Sequence, residues 1–296
     1  MLSSQPKTPT GQVRIALAQI APALGDRGRN IKLHETRIAE ARAEGADLIV
    51  FPELSLTGYF LRDMVPEVGL TLDAPEIQRL LSAADASDVV FGFVEQSPRY
   101  RFYNSGAYGD QGQLRHVHRK VYLPTYGLFD EQRYFAAGHR IRAFDTARFG
   151  RVGLLVCEDF WHLSATAIMQ AEDVNLLICI ANSPGRGVQQ AEFSTASVYE
   201  HVCRTYAVLL GAVVVMVNRV GYEDGLCFWG GSRVVAPSGE VIALAPQLEE
   251  ALTIASFDWA DLRRERTATP LARDERLLLT IEELNRVKRQ MYGDST

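Results

Sequence analysis

The sequence lacks any CxxC pair: its four cysteines, Cys157, Cys179, Cys203 and Cys227, stand far apart and mostly in apolar segments. Such spacing argues against a disulfide framework or a structural zinc site, and it suits reduced thiols in a cytoplasm. Long apolar runs are missing too. The longest, residues 207–217, falls short of the roughly 20 residues that cross a bilayer, so no membrane partner is expected. Blocks of one charge sign are absent as well. The 31 basic and 36 acidic side chains are spread along the chain to a net charge of -5, which does not suit nucleic acid as a partner. Residues 1–12 are polar and rich in Ser, Pro and Thr, without the apolar stretch of a secretory signal, and read as a loose tail.

What is present is apolar material in quantity: 47% of 296 residues is hydrophobic, enough for a large buried core. Apolar, β-branched runs alternate with helical stretches, the pattern of α/β layering. Residues 13–20, 47–51 and 88–94 read as strands separated by helices over 30–44 and 75–86. Segments 103–108 and 113–121 read as a hairpin turned at Asp110-Gln111-Gly112. The second half repeats the scheme, with strands at 151–156, 174–180 and 213–217 and helices at 163–171 and 189–210. A further hairpin, 225–236 with 240–245, and a last strand, 251–257, follow. Two similar halves without a Pro/Gly/Ser-rich linker predict one sandwich domain over 13–258, then a helical extension over 259–296. The amphipathic stretch 274–290 is expected to pack on a neighbouring surface or a second subunit.

Three polar residues break out of apolar strands at their C-terminal ends, where open α/β sheets place their sites. They are Glu53, Lys120 and Cys157. Alone, each has an ordinary reading: a strand-end cysteine is a small hydrophobe, a glutamate after Pro52 starts a helix, and a lysine before a proline-broken turn snorkels. Together they suit acyl transfer at an amide-like carbon. Glu53 takes the thiol proton, Cys157 attacks from a sharp strand-to-turn elbow, and Lys120 with a backbone N–H near Glu158 holds the oxyanion. A buried lysine keeps its charge beside a second acid, and Glu131 in Gly127-Leu128-Phe129-Asp130-Glu131-Gln132 is the candidate.

Three segments carry a resemblance. Phe51-Pro52-Glu53-Leu54-Ser55-Leu56-Thr57-Gly58-Tyr59, His118-Arg119-Lys120-Val121-Tyr122-Leu123-Pro124 and Val156-Cys157-Glu158-Asp159-Phe160-Trp161 resemble the signature regions of the nitrilase superfamily of carbon–nitrogen hydrolases. The resemblance extends over residues 13–257, with Asn218 and the 230–239 hairpin similar to the family's closing segments. It implies a four-layer αββα sandwich and no metal or organic cofactor. It also implies a homodimer or higher homo-oligomer, paired through helices near the cysteine. Within the superfamily, residues 120–135 and Cys157-Glu158-Asp159 look like the glutamine-hydrolysing domain of glutamine-dependent NAD synthetases. That branch implies Tyr126, Glu158, Trp161 and Ser183 around a small amide substrate. The sequence departs from it in having no ATP-binding synthetase domain and no Ser-Gly-Gly-x-Asp-Ser loop. It also has Gln189 where the branch has a basic residue; Arg186 is the candidate substitute.

The expected activity is therefore an amidase releasing ammonia from a glutamine-like substrate. Alternatives are an accessory subunit feeding ammonia to a separate synthetase, and an N-carbamoyl hydrolase or nitrilase using the same residues. A Cys–His hydrolase with His162 or His201 lacks a third orienting group. His116 and His118 alternate along one strand and are expected on a shared solvent face. Gly185-Arg186-Gly187 is expected at a pocket edge.

Overall fold

The computed structural model describes residues 9–186, 188, 189 and 192–293. Residues 1–8 of the expected tail lie outside that range, and Gln12 already belongs to the first strand. β1 (Gln12–Gln19) divides its side chains between two cores, Ile15 and Leu17 in one, Ala16 and Ala18 in the other. Side chains alternate along a strand, so a run that is apolar at every position has to be covered on both faces. The chain continues through α1 (Arg27–Ala43), whose Asp26 cap accepts from the Arg29 N–H, and β2 (Leu48–Val50). A single turn, α2 (Val65–Val68), and α3 (Pro75–Ala84) lead to β3 (Asp88–Gln96). β4 (Phe102–Asp110) and β5 (Gln113–Arg119) form the expected hairpin. Its turn residues Gln111 and Gly112 have φ of 50° and 71°, the two positive dihedrals of a two-residue I′ loop.

The second half runs β6 (Phe144–Thr146), β7 (Gly150–Val156), α4 (Leu163–Ala171) and β8 (Leu176–Ala181). The helix expected over 189–210 is shorter. A narrow strand pair, β9 (Val188–Gln189) and β10 (Glu192–Phe193), precedes α5 (Ser194–Leu210). The reason is local: the Ser194 and Thr195 hydroxyls donate to the Arg186 and Pro184 carbonyls, tying the helix start back to the preceding loop. β11 (Val213–Asn218) is followed by a strand that the sequence reading missed, β12 (Val220–Glu223), paired with β13 (Leu226–Trp229). The single strand expected over 225–236 thus divides. β14 (Arg233–Val235) instead joins β11 and β15 (Val241–Leu244), because Gly230 and Gly231, at φ 71° and 60°, turn the chain between the two ladders. β16 (Ala251–Asp258) returns to pair antiparallel with β1.

Two six-stranded sheets result, ordered β16-β1-β2-β3-β4-β5 and β15-β14-β11-β8-β7-β6. Val13, Ile15, Leu48 and Val90 of the first meet Val152, Leu154, Ile178 and Val215 of the second in the central core. Ile31 and Ile38 of α1 and Ile77 and Leu80 of α3 cover the outer face of the first sheet. Met169 of α4 and Tyr199, Cys203 and Tyr206 of α5 cover the second. The protein is a four-layer αββα sandwich. After β16, α6 (Trp259–Ala268) puts Trp259 and Leu262 into the central core. α7 (Leu271–Asp274) and α8 (Leu277–Tyr292) follow. Every residue of α8 is exposed, so its apolar side does not fold back onto the body of the chain. No helix of the described residues is long and apolar enough to cross a membrane.

Candidate active site

β7 ends at Val156, and Cys157 takes φ 47°, a left-handed conformation that costs a non-glycine residue about 1–3 kcal/mol. The elbow expected from the sequence is therefore present. The thiol is buried, and burial, then the Glu53 charge, pushes it well above the ordinary cysteine range, with Lys120 pulling the other way. A thiol in that state keeps its proton at rest. Attack requires a base within reach.

Lys120 follows β5 directly, and the Asn104 carbonyl accepts its N–H at 2.9 Å. Its ammonium is fully buried and donates to Glu53 Oε1 at 2.8 Å and to Glu131 Oε1 at 2.7 Å. Burial disfavours the charge, but Glu131 and then Glu53 outweigh it and hold the group well above the usual lysine range. Glu53 receives two further bonds, from Asn104 Nδ2 at 2.7 Å and from the Asn182 N–H at 2.7 Å. Glu131, in a short turn after the Pro124 segment, also accepts from the Tyr59 hydroxyl at 2.6 Å. Burial pushes its carboxyl up to about 7, against Lys120 and with Glu53.

Close backbone approach sets Glu53. A Cβ on Gly92 of β3 would lie 2.2 Å from Leu54 N and 2.7 Å from Glu53 Cα. Gly92→Ala should displace that loop, costing about 1–3 kcal/mol of stability and lowering kcat roughly 10- to 100-fold. Urea unfolding and steady-state rates check this; an unchanged kcat would mean that the loop absorbs the methyl without moving the carboxylate.

Cys157 opens onto a cavity of about 170 Å³. Tyr126, Glu158, Trp161 and Ser183, the four residues expected around the substrate, all line it, as does Arg186. The Tyr126 hydroxyl donates to the Glu158 carboxylate at 3.0 Å. Ser183 is held by Asn218, whose Oδ1 accepts from its N–H at 2.8 Å. The Gln189 side chain and Gly187 lie outside what is described. Sequence reasoning missed Tyr199, whose hydroxyl lies 3.8 Å from the Cys157 sulfur and accepts from Trp161 Nε1 at 3.1 Å. It also missed Asn104, Tyr59 and Asn182. A larger hollow of about 350 Å³ near α6 and α7 has no cysteine among its lining residues, so volume alone does not locate the chemistry.

The histidines require a correction. His118 is buried and bonds Asp159 at 2.7 Å, and His116 stacks on Phe144 with ring centroids 4.3 Å apart, because β5 is covered by the second sheet at this end. Neither lies on an open solvent face. His162 stacks on Tyr122 and His201 bonds the Ser197 carbonyl, so the Cys–His alternative finds no thiol contact.

A sandwich of this kind, gathering a thiol, an ammonium and two carboxylates beside one another, defines a nitrilase-fold hydrolase acting on carbon–nitrogen bonds. The chain belongs to the carbon-nitrogen hydrolase family, whose sequence model matches residues 14–267. It is 32% identical over 246 residues to a glutamine-dependent NAD(+) synthetase of Acinetobacter baylyi, covering 83% of this chain and 44% of that protein. The same identity holds over 258 residues to the synthetase of that name from Thermotoga maritima, with 83% and 42% covered. The chain thus spans less than half the length of these relatives. Among solved structures, the glutamine-dependent NAD+ synthetase of Acinetobacter baumannii superposes with a TM-score of 0.75 at 32% identity, covering 85% of this chain and 47% of that one. A carbon-nitrogen hydrolase of Helicobacter pylori shares the fold over nearly its whole length, with a TM-score of 0.81 at 24% identity and 93% and 99% covered.

Proposed function

We propose that the chain hydrolyses the side-chain amide of glutamine, or a close analogue, through a thioester on Cys157, releasing ammonia. The observation that carries the substrate class is the wall of the Cys157 cavity, where an acid, Glu158, and a base, Arg186, face the same small space. Among the described residues Arg186 Nη2 is buried without a hydrogen-bond partner, and its guanidinium sits over the Phe129 ring at 4.7 Å. An α-amino acid carries one charge of each sign, and this pair complements both.

Glu53 takes the Cys157 proton, and the sulfur attacks the amide carbon to form a tetrahedral oxyanion. Lys120 and the N–H of Glu158 stabilise that charge. Collapse breaks the C–N bond, and the proton returned by Glu53 leaves with ammonia. Glu53 then deprotonates a water that cleaves the thioester, giving the free acid and the thiol. Glu131 keeps Lys120 charged throughout.

Arg186→Leu should raise KM for glutamine roughly 10- to 100-fold, the worth of a charged hydrogen bond. KM for propionamide, which has no carboxylate, should stay within about threefold, since the bond is absent there. Ammonia release measured on both substrates checks this, and equal effects on the two would sink the assignment. The names of the relatives support a second reading, in which the ammonia serves a separate ATP-dependent synthetase. Glutamine turnover that rises on mixing with such a synthetase supports it; turnover indifferent to the mixture opposes it.

A further inference from the structure

Lys120 directly follows a strand of one sheet and Cys157 directly follows a strand of the other. The layer between the sheets is apolar, and apolar burial is non-directional: it fixes how far apart the sheets lie but not how one is set along the other. Hydrogen bonds supply direction. One buried carboxylate supplies four of them. Asp159 Oδ1 accepts from Val121 N at 3.0 Å and Tyr122 N at 2.9 Å, just past Lys120. Its Oδ2 accepts from His118 Nε2 at 2.7 Å, just before Lys120, and from Val156 N at 3.3 Å, just before Cys157. Asp159 and His118 are 0% and 2% exposed, and neither takes part in the chemistry above.

We propose that Asp159 and His118 form a positioning pair that sets the lysine–thiol separation across the two sheets and holds the left-handed elbow at Cys157. The pair touches no reacting atom. Its carboxylate brackets both reactive residues, so losing it moves the ammonium relative to the sulfur while leaving Ser183 and Arg186, which stand on a separate segment of the cavity wall, in place. The role assigned to the pair rests on the proposed amide hydrolysis.

Three variants test it: Asp159→Asn, His118→Leu and His118→Gln, each compared with the native chain for kcat and KM with glutamine, for alkylation of Cys157 by iodoacetamide, and for thermal midpoint. Asp159→Asn should lower kcat about 100-fold, with alkylation slowed in parallel, as misplacement by about an ångström does. KM should change by less than about threefold, because Arg186 and Ser183 stay in place. His118→Leu should lose about tenfold in kcat, with His118→Gln recovering much of it through its amide donor. Combining Asp159→Asn with His118→Leu should be no slower than Asp159→Asn alone, as expected for two members of one bonded unit. Folded Asp159→Asn with native kcat and alkylation, or with a raised KM alone, would overturn the proposal. If Asp159→Asn does not fold, the two His118 variants decide it by the same criteria. If the native chain does not turn over glutamine, the functional reading fails, and the alkylation rates still test the pair.

Discussion

Cys157→Ala should reduce ammonia release by at least about 10⁴-fold while leaving the fold intact, since removal of a nucleophile leaves only the binding and electrostatic contributions to rate. Alanine at this position keeps the packing of a small side chain, so the unfolding midpoint should move little. Two other thiols serve as controls. Burial pushes Cys179 well above the cysteine range and Cys203 up to about 12, and both pack between the second sheet and its helices. Cys179→Ala and Cys203→Ala should keep kcat within about threefold, because neither contributes to transition-state binding. A Cys157→Ala variant with native activity would remove the thioester mechanism outright.

Lys120→Met should combine the second-largest loss of rate with the largest loss of stability. The ammonium is the shared partner of Glu53 and Glu131, and its removal leaves two buried carboxylates facing each other. Breaking a buried pair in this way costs about 3–5 kcal/mol, and losing an oxyanion donor costs roughly 10²–10³ in kcat. The pH dependence has a definite sign. Burial raises the Glu131 carboxyl above its ordinary value in the native chain, and loss of Lys120 removes the opposing pull. A carboxylate with a raised native pKa binds protons more readily in the folded than in the unfolded state, so the penalty is present at high pH and relieved at low pH. The deficit of Lys120→Met should therefore shrink between about pH 8 and about pH 5. Denaturant unfolding at the two values checks it, and a deficit independent of pH would mean that the carboxylates do not face each other unpaired. Glu131→Gln, which keeps the acceptor for Tyr59 and Lys120, should be milder in both respects.

The candidate cluster was legible because Glu53 and Cys157 each follow a run that the sandwich requires to be apolar, and Lys120 directly follows the last residue of β5. Val152 to Val156 can be buried on both faces, and Cys157 begins the turn where that demand ends. Glu131 was reachable by chemistry alone, since a buried ammonium needs a counter-charge. Tyr199 was not: it shares a buried stripe with Cys203 and Tyr206 on α5, which reads as helix-packing surface. Asn104 is separated from Glu53 by 51 residues, and a polar residue inside a strand does not announce a partner at that distance. His118 looked exposed because alternation along β5 distinguishes faces but does not say which face another sheet covers. The division of residues 225–236 between two ladders was hidden for a related reason. The run is rich in apolar residues on both sides of Gly230 and Gly231, and only their positive φ separates β13 from β14.

The most direct test of the central claim is the intact mass of the protein mixed with glutamine and quenched in acid before the thioester is hydrolysed. A γ-glutamyl adduct should appear on Cys157, form and decay at rates consistent with ammonia release, and be absent from Cys157→Ala. Ammonia release at the native rate with no adduct on Cys157, or with the adduct on another residue, would contradict the account.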